Sequence, residues 1–87
     1  MFTADDIQKR LKETPFVPVR IVTSSGQSYD VKHPDMVLVS IRWIIVGTAS
    51  NEHPGLIDDA TRIALLHIAD LQDIHYSPSP KGNGPPA

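Results

Sequence analysis

Cysteine is missing altogether, which excludes a disulfide framework and a thiolate metal site. Nothing in the chain needs an oxidising compartment. Aromatic residues are scarce, at two Phe, two Tyr and one Trp, so any core must be mainly aliphatic. No apolar run approaches the ~20 residues that cross a bilayer as a helix. The first residues lack the basic and apolar regions of a signal peptide, and a cytoplasmic protein with no membrane partner is expected. Neither sign of charge dominates: the formal net charge is −2 and the pI about 6.0. That balance gives no basic field of the kind that phosphate neutralisation calls for, although a symmetric ring can gather a few lysines at one rim. No glycine-rich phosphate loop is present, and none of Ser24, Ser25 or Ser28 sits in a nucleophile elbow. These absences leave no catalytic constellation, so the chain is expected not to be an enzyme and to carry no cofactor.

The 87 residues present suffice for one small domain. A chain this short buries only about 60–65% of the surface of its unfolded form, so its stability margin is thin and self-association is an expected supplement. The stretch from Phe2 to Thr14 reads as a helix. Thr3 is a good N-cap, with Asp6 three residues on as a capping-box partner and Phe2 placed to staple onto Ile7. Ala4, Ile7 and Leu11 share one narrow face, and Pro15 stops the helix.

Beyond the connector Pro15–Pro18 the pattern turns to strands. Val19–Thr23 and Ser28–Lys32 alternate around a turn that contains Gly26. Pro34 forces a bend or bulge, and Met36–Val39 and Trp43–Val46 follow, with Ser40-Ile41-Arg42 between them read as either a turn or an uninterrupted crossing. Thr48–Asp59 reads as a long solvated loop. Arg62–Ile68 is read as a further strand, Ala69–Leu71 as a tight turn and Gln72–Tyr76 as a short last strand. Residues 77–87, rich in Pro, Gly and Ser, read as a disordered tail after a domain spanning 1–76. A mainly β fold with one N-terminal helix is expected, as a small five-stranded SH3-like or Sm-like barrel or a curled antiparallel sheet.

Candidate chemistry is sparse. His33-Pro34-Asp35 sets an imidazole near a carboxylate, but a strand end followed by a turn explains it equally. His33, His53, His67 and His75, with Asp58, Asp59, Asp70 and Asp73, show neither helical nor knuckle ligand spacing, so no metal is expected. Trp43 shares the alternation of Val37, Val39, Ile41 and Ile45, which points to core or subunit interface. Lys9, Arg10 and Lys12 on the helix are balanced by Asp5, Asp6 and Glu13 and read as a solvated face.

Two resemblances add to this. The segment Gly26-Gln27-Ser28-Tyr29-Asp30-Val31-Lys32-His33-Pro34, followed by Leu65-Leu66-His67-Ile68, resembles a group of small bacterial proteins and implies no activity. The layout of a short helix, five strands and a one-turn break before the last strand resembles the Sm-like (Hfq-type) fold. Within it, Ala64–Leu71 is similar to the strand that carries a Tyr-Lys-His-Ala sequence, with His67 in the histidine's place. Leu66 stands where that family has its RNA-contacting lysine, a departure at the contact position itself. The resemblance implies a ring-forming RNA or DNA binder, with Lys32, His33, Arg42 and His67 as its first contact candidates. Without it, the residues point to a non-catalytic interaction module that forms a homo-oligomer or takes a protein partner.

Overall fold

Thr3 and Asp6 start the N-terminal helix by satisfying each other. The Asp6 amide donates to Thr3 Oγ1 at 3.1 Å, and the Thr3 amide donates to Asp6 Oδ2 at 2.9 Å. Hydrogen bonding to the carboxyl from Thr3, first from its backbone amide and then from its side chain, holds Asp6 below its ordinary value. The computed structural model describes residues 1–75, and in it helix α1 spans Ala4–Leu11. It stops short of the expected Thr14. The Lys12 amide closes the last turn on the Gln8 and Lys9 carbonyls, and Pro15 bars Thr14 from helical geometry. Ile7 is buried, and Phe2, Ala4 and Leu11 pack around the same core, so the expected apolar face is the docking face.

Six strands follow: β1 (Val19–Thr23), β2 (Ser28–Val31), β3 (Val37–Val39), β4 (Trp43–Ala49), β5 (Ile57–Ala64) and β6 (Ile68–Asp73). They form two antiparallel sheets of three strands, in the orders β2-β1-β6 and β3-β4-β5. The mainly β architecture with one N-terminal helix is therefore as expected, with six strands in place of five. A 3-10 turn, Pro34–Met36, joins β2 to β3, where proline cannot continue a ladder. A second, Leu65–His67, joins β5 to β6. The inward residues of both sheets build the core: Val19, Ile21, Val31 and Ile68 from the first, Val37, Ile44, Val46 and Ile63 from the second, with Leu65 and Ile7. Two main-chain bonds tie this second turn to the end of each sheet: the Ser24 amide donates to the His67 carbonyl at 2.8 Å, continuing the β1-β6 pairing, and the Leu65 amide to the Arg42 carbonyl at 2.9 Å, continuing the β4-β5 pairing.

Three boundaries differ from the sequence-based expectation. Gly47 does not close β4, which runs on to Ala49. The supposed loop Thr48–Asp59 shrinks to a connection between Ala49 and Ile57, turned by Ser50 Oγ accepting from the Glu52 and His53 amides and by Gly55 at φ +87°. Its end, Ile57–Asp59, belongs to β5, an edge strand whose exposed face tolerates charge. The last break falls at Leu65–His67, not at Ala69–Leu71, so Ile68–Asp73 is continuous strand paired to β1. Tyr76 and the stretch 77–87 lie outside the described residues.

Arg10 fastens the helix to the sheets. Its side chain is 13% exposed. Nη2 donates to the Val17 carbonyl at 2.7 Å and to Asp73 Oδ1 at 2.6 Å. The guanidinium lies 5.6 Å from the Phe16 ring centre. A helix residue, the connector and the end of β6 thus meet on one cation. The helical basic cluster is split accordingly: Arg10 is structural, while Lys9 pairs in solvent with Asp5.

Candidate interaction surfaces

The outer face of the β3-β4-β5 sheet is apolar where water would favour polar side chains. Alternation along β4 sends Ile44 and Val46 inward and leaves Trp43 and Ile45 on the outer face, half-buried. Sequence alternation had aligned Trp43 with Val37 and Val39, but Ser40-Ile41-Arg42 is a turn, closed by the Ser40 amide on the Trp43 carbonyl at 2.8 Å. The turn resets the alternation, so Trp43 lies on the opposite face from buried Val37. Arg62 from β5 covers it, with the guanidinium 5.7 Å from the ring centre.

Further along β4 the partners become small. Gly47 pairs with Ala60, and Ala49 with Ile57 after a bulge. Together with Leu38, Ile45 and Leu56 they line a cavity of about 570 Å³, with His33 and Asp35 at its polar rim. Leu38 is 65% exposed, Leu56 63% and Ile57 55%. The sequence carried a signal for this surface in Leu56-Ile57, an apolar pair stranded among Glu52, Asp58 and Asp59.

A second opening, of about 480 Å³, lies between the free edge of β2 and the C-terminal half of β4. It exists because β3 pairs with β4 only from Val39↔Ile44 to Val37↔Val46. Past Val46 the chain has already turned away through Pro34–Met36, and β4 keeps an unpaired edge on that side. Across β1 and β2, Arg20 Nε donates to Asp30 Oδ1 at 2.8 Å and Nη2 to Oδ2 at 3.2 Å. This hydrogen bonding by Arg20 holds the Asp30 carboxyl below its ordinary value, against a smaller opposing effect of desolvation.

The four contact candidates divide between the two ends of β4. Lys32 lines the opening beside β2, and His33 lines the apolar cavity next to it. Arg42 precedes Trp43 at the other end, in a recess of about 260 Å³ with Met1, Ile41 and Leu66. His67 lies in the second 3-10 turn and faces Ser24, Ser25 and Arg62 across a recess of about 380 Å³. The seven residues of β4 span about 20 Å at strand rise, so Lys32 and His33, adjacent in the chain, lie at one end of β4, while Arg42 and His67 line separate recesses at the other. His33 makes no side-chain capping bond. Among the described residues no group of three or more His, Asp or Glu is placed to hold a metal ion, and no helix is long and apolar enough to cross a membrane. No protein-family model, curated protein or solved structure matches this chain.

Proposed function

We propose that this chain is a non-catalytic interaction module that associates with copies of itself through the outer face of the β3-β4-β5 sheet. One observation carries the proposal: Leu38, Leu56 and Ile57, each more than half exposed, ring one cavity on a single face. Monomeric proteins rarely expose large contiguous apolar patches, and patches rimmed by polar groups mark contact sites. His33 and Asp35 supply such a rim. A two-fold contact would place the same patch on both copies, covering side chains whose hydration costs about 25 cal/mol per Å².

The strand order supports the small-barrel reading. The chain passes from β2 to β3 through a single turn, so the two sheets can be taken as one bent ribbon in the order β6-β1-β2/β3-β4-β5. Its two outer strands, β5 and β6, are joined by the second turn. A cytoplasmic setting suits a chain without cysteine.

A nucleic-acid-binding role, which the Sm-like resemblance implies, has less support. Its candidate contacts stand in two separate pairs, and the chain is net acidic. Light scattering over a range of protein and salt concentrations tests the first reading: association that persists at high salt is expected of an apolar contact, and a monomer at every concentration overturns it. Filter binding to mixed oligonucleotides at low salt tests the second. Retention at or below tens of micromolar protein, roughly the range of non-specific affinity, would revive it.

A further inference from the structure

The opening between β2 and β4 is bounded by two free strand edges that face one another. In the β1-β2 hairpin the Thr23 amide donates to the Gln27 carbonyl at 2.8 Å. Antiparallel pairs alternate between bonded and non-bonded. Tyr29 and Val31 therefore direct their backbone groups at β1, and Ser28 and Asp30 direct theirs away from it, toward the opening. On β4 the Ser40–Trp43 bond fixes the same alternation. Val46 and Thr48 address β5, and Ser50 continues that side by donating to the Leu56 carbonyl at 2.9 Å. Gly47 and Ala49 address the opening. No strand among the described residues pairs with these four on that side.

We propose that this opening accepts an extended, acidic peptide segment of a partner protein, held by main-chain hydrogen bonds to the edges of β2 and β4. Size and charge both favour that occupant. A strand residue fills about 160 Å³ at ordinary strand rise, strand spacing and sheet thickness, so about 480 Å³ holds about three residues. The charged side chains lining the opening are Arg20, Asp30 and Lys32. Arg20 and Asp30 pair with each other, which leaves Lys32 to make the site locally positive on a chain of net charge −2. An acidic side chain on the inserted strand would meet Lys32, in the manner of strand addition to a sheet edge. The chain's own residues 76–87 are poorly suited: they contain no Asp or Glu and four prolines, Pro78, Pro80, Pro85 and Pro86, and proline has no amide proton to donate. Gly47 and Ala49 line both this opening and the neighbouring cavity, but Ser28, Asp30 and Lys32 line this one alone and Leu38 and Leu56 the other alone, so the two proposals can be tested apart.

The test is a titration of the full, ¹⁵N-labelled chain with an acetylated and amidated peptide of alternating Val and Glu. The lysine counterpart and an acidic peptide N-methylated at alternate amides serve as controls, and Leu38→Glu is run in parallel with the wild type. Saturable shifts of the Ser28, Asp30, Gly47 and Ala49 amides with the acidic peptide alone, in both proteins, are expected. Lys32→Glu, an exposed change, should weaken binding at least tenfold while leaving the remaining spectrum in place. The proposal is overturned by silence of those four amides up to about 1 mM peptide, by equal binding of the lysine or N-methylated peptide, or by unchanged affinity in Lys32→Glu. Shifts of the Ser28 and Asp30 amides, which line this opening and not the apolar cavity, on raising protein concentration without peptide would assign the opening to a second copy and overturn it equally.

Discussion

Replacing Arg10 with methionine separates the guanidinium from the stem that carries it. The side chain is 13% exposed, so its methylenes pack and methionine keeps most of that packing. What is lost is a charged hydrogen bond to the Val17 carbonyl at 2.7 Å and one to Asp73 at 2.6 Å, with the guanidinium's placement over Phe16. Bonds involving a charged group are worth about 1.5–3 kcal/mol each. The Asp73 end is discounted to about 0.2–1 kcal/mol, because that carboxylate is 54% exposed and screened. The ring contact adds about 0.5–1 kcal/mol. One effect opposes these: Nη1 is buried without a hydrogen bond, 3.4 Å from Glu13 Oε1, and removing it relieves a desolvation penalty. A net loss of about 2 kcal/mol is expected for Arg10→Met, or about 8–16 °C in Tm for a domain this small. Urea denaturation followed by Trp43 fluorescence gives the free energy, and far-UV circular dichroism reports the helix. Asp73→Asn alone should cost less than about 1 kcal/mol. A loss under about 0.5 kcal/mol for Arg10→Met would refute the view that this cation holds α1, leaving the apolar face of Phe2, Ala4, Ile7 and Leu11 as the whole of the docking.

Other consequences can be checked on the same footing. Thr3→Ala removes the N-cap hydroxyl and should cost about 0.5–2 kcal/mol by thermal melting. Ile44→Ala empties a fully buried site between the sheets and should cost about 2–5 kcal/mol in urea denaturation, enough to unfold much of a marginal domain. At Gly47 an added Cβ would lie 3.1 Å from Ile57 Cγ2 and 3.5 Å from the Met36 carbonyl oxygen. Gly47→Ala needs only a small shift of an exposed side chain, whereas Gly47→Val should cost about 1–3 kcal/mol by overpacking, measured by the same denaturation. Asp30 has its folded value depressed by Arg20, so its contribution is complete above the unfolded value of about 3.9 and is lost as pH falls through the folded one. Asp30→Asn should therefore cost less than about 1 kcal/mol at pH 7 and flatten the loss of stability below about pH 4, read from melts at both pH values.

Elements with strong local chemistry were legible in the sequence. The capping box of Thr3 and Asp6, the buried alternation of Val19, Ile21 and Thr23 and the glycine turn at Gly26 occur where residue type demands them. What escaped depends on neighbours distant in the chain. Asp58 and Asp59 look like loop residues, yet both belong to β5, Asp59 paired with Thr48 and Asp58 at the bulge, because an edge strand can keep one face in water. The outward face of Trp43 and Ile45 follows from the turn at Ser40–Arg42, which the sequence leaves open between a turn and an uninterrupted crossing. Gly47 reads as a strand terminator from sequence alone. In the fold it is a mid-strand residue with Ile57 laid over it, adjoining both the apolar cavity and the opening beside β2. Lys32 was singled out as a contact residue for its charge. The unpaired backbone of Ser28 and Asp30 beside it leaves no trace in residue type, since it arises from where β3 ends.

The contact proposed between copies of this chain lies on the outer face of the β3-β4-β5 sheet. Sedimentation equilibrium of the wild type beside Leu38→Glu tests it most directly, since that side chain is 65% exposed and its replacement spares the core. A reversible oligomer for the wild type and a folded monomer for Leu38→Glu is the expected result. Two monomers, or two oligomers of equal affinity, would contradict the claim.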